Sequence, residues 1–156
     1  MRNRNYWLVK SEPTSYSYDD LQNEPEQTAE WDGVRNFQAR NNLRRMQLGD
    51  GVLFYHSNAK PSAIVGLATV AAESYPDHTA WDPNSDHPDP KSTPEAPIWY
   101  MVDVKASASL KLPISLDVVK STPGLENMML LKNSRLSVQS VTAQEWEILM
   151  EISEFN

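Results

Sequence analysis

The chain has 156 residues, no cysteine and a formal net charge of −7; this length suits one core, and the missing cysteines exclude disulfides, thiolate metal sites and a cysteine nucleophile. The acidic balance, with a pI near 4.9, excludes the broad basic surface that grips many duplex phosphates, so a nucleic-acid partner would have to be met by a local patch or by one buried base. No apolar run is long enough for a bilayer, and Met1-Arg2-Asn3-Arg4-Asn5 leads into only four apolar residues before Lys10, too short for a signal-peptide core, which predicts a cytoplasmic protein, nuclear in a cell with a nucleus.

Tyr6-Trp7-Leu8-Val9-Lys10 predicts a strand buried on both faces, broken by Ser11-Glu12-Pro13. Ser17 is the expected N-cap of a short helix with Asp20 near its first-turn amides, ended by Asn23-Glu24-Pro25. Trp31-Asp32-Gly33 reads as a turn. Val34, Phe37, Leu43 and Met46 then recur at helical spacing over about Val34 to Gln47, with Gly49 closing the segment. Val52 to His56 predicts a central strand, Ser57 to Pro61 a turn, and Ala63 to Val70 a third strand in which Gly66 marks a bulge or a close backbone approach.

Tyr75 to Pro97 holds six prolines and predicts a long surface loop without regular structure. Ile98 to Lys105 is a strong strand, Leu110 to Leu116 a weaker one, and Leu116 to Lys120 a helical turn. Leu136 to Val141 alternates like a half-exposed strand. Thr142 and Glu145 form a capping box opening the last helix, which carries Trp146, Leu149, Met150 and Ile152. Strands and helices mix without βαβ regularity, so the expected class is a single α+β domain with a mainly antiparallel, barrel-like sheet.

Trp31 sits in a turn, where a large ring is hard to bury. It reads either as core filler or as the wall of a slot for a flat ligand, because aromatic rings stack on any base. Polar groups that could read a ligand's edge lie nearby in sequence or at strand ends: Lys10, Ser11, Asp32, Asn36 and Ser57. From Gly33 to Arg45 the chain carries four arginines and no acid. That segment is either a phosphate-facing patch or a helix face paired with the acidic loop. His78 and His87 stand among Asp77, Asp82, Asp86 and Asp89 without any recognised ligand spacing, so neither a metal nor another cofactor is expected. His56 and Ser57 are strand neighbours that point to opposite faces, which argues against a dyad and for His56 as a hydrogen-bonding group in or beside a pocket.

Several ordered segments resemble the EVE domain family, most nearly its thymocyte nuclear protein group and bacterial relatives. They are Tyr6 to Pro13, Trp31 to Asn36, Ala39-Arg40-Asn41, Phe54 to Asn58, Ala72 to Asp77 and Trp99 to Val104. The resemblance implies a PUA-like fold, a mainly antiparallel β-barrel with flanking helices. It implies a binding module, not an enzyme, for DNA or RNA containing a modified or flipped base. Lys10-Ser11 resembles the lysine–serine pair after the corresponding strand of the related YTH domains, and Trp31 resembles their first cage tryptophan, with Tyr75, Trp81 and Tyr55 as candidate partners. The expected base pocket comprises Lys10, Ser11, Trp31, Asp32, Gly33, Val34, Asn36, Tyr55, His56, Ser57 and Tyr75, with Arg35 and Arg40 on flanking phosphates. Two alternatives stand beside it: an enzyme acting on a modified nucleobase or nucleotide with His56 or Lys10 as acid–base group, and a protein-interaction domain using the proline-rich loop.

Overall fold

The computed structural model describes residues 4 to 155; Met1, Arg2 and Asn3 of the N-terminal segment and Asn156 lie outside the described residues. Its elements run β1 (Tyr6–Ser11), α1 (Tyr18–Gln22), β2 (Thr28–Glu30), α2 (Phe37–Arg45), β3 (Gly51–His56), β4 (Ala63–Pro76), β5 (Tyr100–Ser115), α3 (Leu116–Ser121), α4 (Met129–Lys132), β6 (Val138–Val141) and α5 (Ala143–Phe155). One six-stranded sheet takes the order β2-β5-β4-β3-β1-β6. Its ladders are antiparallel except where β1 pairs with β3.

The class is α+β as expected, but the sheet does not close into a barrel. β2 and β6 are its two edges, and β2 is only three residues long. The β6 edge is shielded instead: the Asn42 side-chain amide of α2 donates to the Val138 carbonyl at 2.7 Å. Covering an edge strand in this way removes an open template for unwanted pairing.

Period-2 alternation splits the strands between two cores. Trp7, Val9, Phe54, Val70, Val102 and Val104 face one way and pack under α1 and α2 with Tyr18, Leu21, Ala39 and Leu43. Leu8, Leu53, Tyr55, Ile64 and Ile114 face the other way, against Val119, Met128, Leu130 and Leu149 from the C-terminal half. Local caps match the sequence. Ser17 and Asp20 form a reciprocal capping box on α1, and Thr142 and Glu145 exchange the corresponding bonds before α5, at 3.1 and 2.9 Å.

Gly66 marks both a bulge and a close approach. The β3–β4 register shifts beside it, and a Cβ there would lie 2.4 Å from the Tyr18 ring, whose hydroxyl donates to the Leu67 carbonyl at 2.6 Å. The second halves of β4 and β5 run further than alternation alone predicts. β4 reaches Pro76, and β5 is one continuous sixteen-residue strand through Pro113 to Ser115. Bulges along the β4–β5 ladder let these long strands bend while staying paired.

Candidate base-binding cleft

An open cleft of about 850 Å³ lies at the end of β1, on the Trp7 side of the sheet. Its floor is Trp31. The Trp31 backbone N–H donates to the Val102 carbonyl at 2.8 Å, which fixes the turn to β5. Its ring meets Phe54 edge-on at 5.4 Å and Tyr16 edge-on at 6.2 Å. Trp31 is 9 % exposed. It is therefore core filler on one side and cleft wall on the other.

Ser11, Asp32, Gly33, Val34 and Arg35 join Trp31 around this space, together with Lys10. Lys10 and Ser11 are sent to opposite faces by the strand pleat. The Ser11 hydroxyl donates to the Tyr16 carbonyl at 2.6 Å. The Lys10 ammonium turns to the Ser134 carbonyl and stands 5.8 Å from the Tyr55 ring centroid. Burial lowers the Lys10 pKa, but its charge is spent at the cleft wall and not in the centre.

The structure does not bring the remaining predicted pocket residues to the cleft. The Asn36 side chain caps α2, accepting from the Ala39 N–H at 2.9 Å. Tyr55 is buried in the core of the opposite face. The His56 Nε2 accepts the Tyr18 N–H at 3.1 Å, and burial lowers its pKa, so its lone pair is engaged away from the cleft. Ser57 holds the strand end through its N–H to the Ser11 carbonyl at 3.0 Å. The Tyr75 hydroxyl is bonded to the Asp103 carboxylate. Trp81 lies in the short helical turn His78–Trp81 and does not line the cleft either. Arg40 donates to the Ile98 carbonyl at 3.0 Å, on α2 and outside the cleft.

What completes the cleft comes from places the alternation pattern does not mark. Tyr16, Glu24, Glu30, Asp86, His87 and Ser137 contribute to its wall. The Tyr16 hydroxyl donates to Glu24 Oε2 at 2.8 Å; burial, then this hydrogen bond, pushes its pKa up. The signal for Tyr16 is its place immediately before the Ser17 N-cap, where an apolar residue packs down on the helix start.

Asp77 organises the rim. Its side chain has no exposed surface. It accepts from the Gly33 N–H at 2.8 Å, the Arg35 Nη1 at 2.9 Å and the Thr79 N–H at 2.9 Å. Burial alone would raise its pKa, but the bonds from Thr79, Gly33 and Arg35 outweigh that and leave it below the ordinary carboxylate value. Arg35 also donates to the His87 carbonyl at 2.7 Å. The loop from Asp77 onward is thus drawn back over the Trp31 turn. The His87 ring then sits so close to Gly33 that a Cβ there would meet it at 2.7 Å, and Gly33 has φ +80. Glycine is required here both for the left-handed backbone and for the contact. Of the four arginines of the segment, Arg35 answers to the acidic loop, as one of the two readings of that segment anticipates.

The two histidines of the proline-rich segment each take one carboxylate: His78 meets Glu30 at 2.8 Å and His87 meets Asp32 at 3.2 Å. Among the described residues no three His, Asp or Glu side chains converge in a way that could hold a metal ion. Asp32 has its pKa raised, by burial first and then by Asp77, with His87 opposing. The cleft therefore offers an aromatic floor, hydroxyls and carboxylate acceptors, while its two cations are engaged in its wall, Lys10 with Ser134 and Arg35 with Asp77 and His87.

Residues 5 to 152 match the EVE domain. The chain belongs to the EVE domain family. Thymocyte nuclear protein 1 of Rattus norvegicus is 46 % identical over 96 % of this chain and 74 % of its own length. The human THYN1 protein, crystallised in complex with 5-methylcytosine-containing DNA, superposes on this EVE domain with a TM-score of 0.92 and 42 % identity, over 96 % of this chain and 98 % of that one. The YTH domain of the Zygosaccharomyces rouxii MRB1 protein is 13 % identical with a TM-score of 0.57, covering 98 % of this chain and 88 % of that one. That likeness shows a fold shared with the YTH domain. No helix among the described residues is long and apolar enough to cross a membrane.

Proposed function

We propose that this EVE domain is a nucleic-acid-binding module that holds one modified base, a 5-methylcytosine in DNA before other candidates, in the cleft over Trp31. The observation that carries the proposal is the pairing of an aromatic floor with a carboxylate rim. Stacking contributes about 1–3 kcal/mol per base without regard to sequence. Specificity has to come from the edge, and a carboxylate accepts from the exocyclic amino group of cytosine. Asp32 is suited to that role: it lines the cleft next to Trp31, and its side chain is 39 % exposed, so the carboxylate is open to an amino donor. The human relative bound to 5-methylcytosine DNA supports the same assignment.

A base can reach the cleft only from a single strand or after leaving its stack, which costs a few kcal/mol. With a net charge of −7 and few cations near the cleft, the affinity should fall only gently with salt. Binding rather than turnover is the natural use of this site, since neither Lys10 nor His56 presents a free acid–base group to the cleft. Such a module belongs in the cytoplasm, or in the nucleus of a nucleated cell.

The test is a panel of DNA and RNA oligomers carrying cytosine, 5-methylcytosine, adenine or N6-methyladenine, titrated against the wild type, Asp32→Asn and Trp31→Phe. The expected result is a preference for 5-methylcytosine in DNA that Asp32→Asn reduces. Equal affinity across the panel, unchanged by either substitution, would sink the base-reading assignment.

A further inference from the structure

The outward face of α2 carries groups that the cleft does not use. Phe37 is 59 % exposed, Arg40 follows one turn on, and Arg44 one turn further. Phe37 is packed on a neighbouring ring despite its exposure. Its ring stacks on Trp99 at 5.0 Å and 26°, and the Trp99 indole N–H donates to Asp89 at 2.7 Å. The Arg40 guanidinium lies 4.9 Å from the Phe37 centroid and that of Arg44 4.5 Å from the Tyr100 centroid. Among the described residues neither arginine forms an ion pair, although the chain holds 21 carboxylate side chains. Arg40 donates to neutral acceptors, the Ile98 carbonyl and the Asn41 side-chain oxygen, so the positive charge of both arginines stays uncompensated and open to another molecule.

We propose that this face of α2 is the track for the strand that flanks the base in the cleft, with Phe37 stacking on a neighbouring base and Arg40 and Arg44 meeting backbone phosphates. The proposal rests on the base-holding reading of the cleft and extends it outward. Arg35 walls the cleft and stands 5.7 Å from the Trp99 ring on which Phe37 stacks, so the track adjoins the cleft wall. Four residues of helix separate Arg40 from Arg44 by about 6 Å along the axis, a span that one or two nucleotides cover at roughly 3.4 Å of rise per phosphate in one strand. An aromatic platform beside cations is the combination that binds single strands. An acidic peptide would satisfy the arginines but offers Phe37 no stack of flat rings.

The experiment compares 5-methyl-2′-deoxycytidine alone with a single-stranded DNA oligomer carrying one central 5-methylcytosine. Each is titrated against the wild type, Phe37→Ala, Arg44→Gln and Trp31→Phe. Phe37→Ala should weaken the oligomer about tenfold and leave the nucleoside unchanged. Arg44→Gln should flatten the salt slope for the oligomer by about 0.7. Both side chains are exposed, so neither variant threatens the fold. Oligomer binding by both variants with wild-type affinity and salt slope overturns the track, whatever Trp31→Phe does. An equal loss for nucleoside and oligomer on Phe37→Ala also overturns it, because Phe37 would then act through the cleft. Displacement of the oligomer by a glutamate-rich peptide at equal strength would give the face to a protein partner instead. If the nucleoside fails to bind and Trp31→Phe is silent while Phe37→Ala still weakens the oligomer, the cleft reading fails and the track stands.

Discussion

On one face of the sheet Leu8, Leu53, Ile64 and Ile114 meet Val119, Met128 and Leu149. On the other, Trp7, Val9 and Phe54 share space with Trp31, and beyond Trp31 the packing opens into the cleft. Alternate residues of the same strands build both faces. The first is closed by aliphatic contact, which is non-directional and fills whatever space is present. The second is bounded by directed bonds: Asp77 to Gly33 and Arg35, Arg35 to His87, His87 to Asp32. A wall made of a few hydrogen bonds can stand open to solvent, whereas an apolar wall collapses until it is dry.

Substitutions should separate the two faces. The largest loss of stability is expected from Leu149→Ala in the sealed face, about 2–5 kcal/mol by chemical denaturation, with base affinity per folded molecule unchanged. Asp77→Ala should cost less, about 2–3 kcal/mol, since it strands the Arg35 charge and the backbone N–H groups of Gly33 and Thr79 while Arg35 keeps some solvent contact. Its effect on binding should be greater than that of Leu149→Ala, because the rim loses its anchor. Intact affinity in a folded Asp77→Ala protein would refute the role given to the rim. Gly33→Ala should cost about 1–2 kcal/mol, through its left-handed backbone and the displaced His87 ring. The measurement that sharpens this is the His87 imidazole resonance, which should shift on Gly33→Ala and stay in place on Leu149→Ala.

The smallest effect is one of pH, and the two aspartates contribute with opposite sign. The folded-state pKa of Asp77 lies below the ordinary carboxylate value of 3.8, so its stabilisation is complete above that value and is lost as pH falls through the lower, folded one. Asp32 has its pKa raised above 3.8. The folded protein therefore holds the Asp32 proton more tightly, and that contribution favours folding in acid and disappears as pH rises through the folded value. A base amino group needs ionised Asp32. On acidification, base affinity should therefore fall before the Asp77 contribution to stability does. Parallel binding and denaturation series in acid check the order; coincident losses would break the distinction between rim and reader.

Much of the fold is legible along the chain. The β1 segment, the Ser17 and Thr142 caps, the helix after Gly33 and the bulge at Gly66 follow from residue type and local spacing, because caps, pleat and turn are settled within a few residues. β2 is not legible, since three residues carry no period. The closing of a barrel was expected and does not occur, because pairing at sheet edges depends on residues far apart in the chain. The site divides in the same way. Trp31, Asp32, Gly33 and Val34 are contiguous and arrive together. His56 and Tyr55 lie on a suitable strand, but their side chains are claimed by Tyr18 and by the opposite core.

The sequence by itself determined the family, the order of the main elements, the position of Trp31 in the turn before α2 and the unusual run of arginines in an acidic chain. Those are properties of residue type and of neighbours within a few positions. Only the tertiary structure decided that Lys10 and Ser11 diverge in use, that Tyr16 and His87 wall the cleft, and that Arg35 is tied to Asp77 while Arg40 and Arg44 are left without ion pairs. These facts depend on contacts between segments tens of residues apart. Such contacts form only after the strands have paired, and the spacing of residues along one segment does not record them.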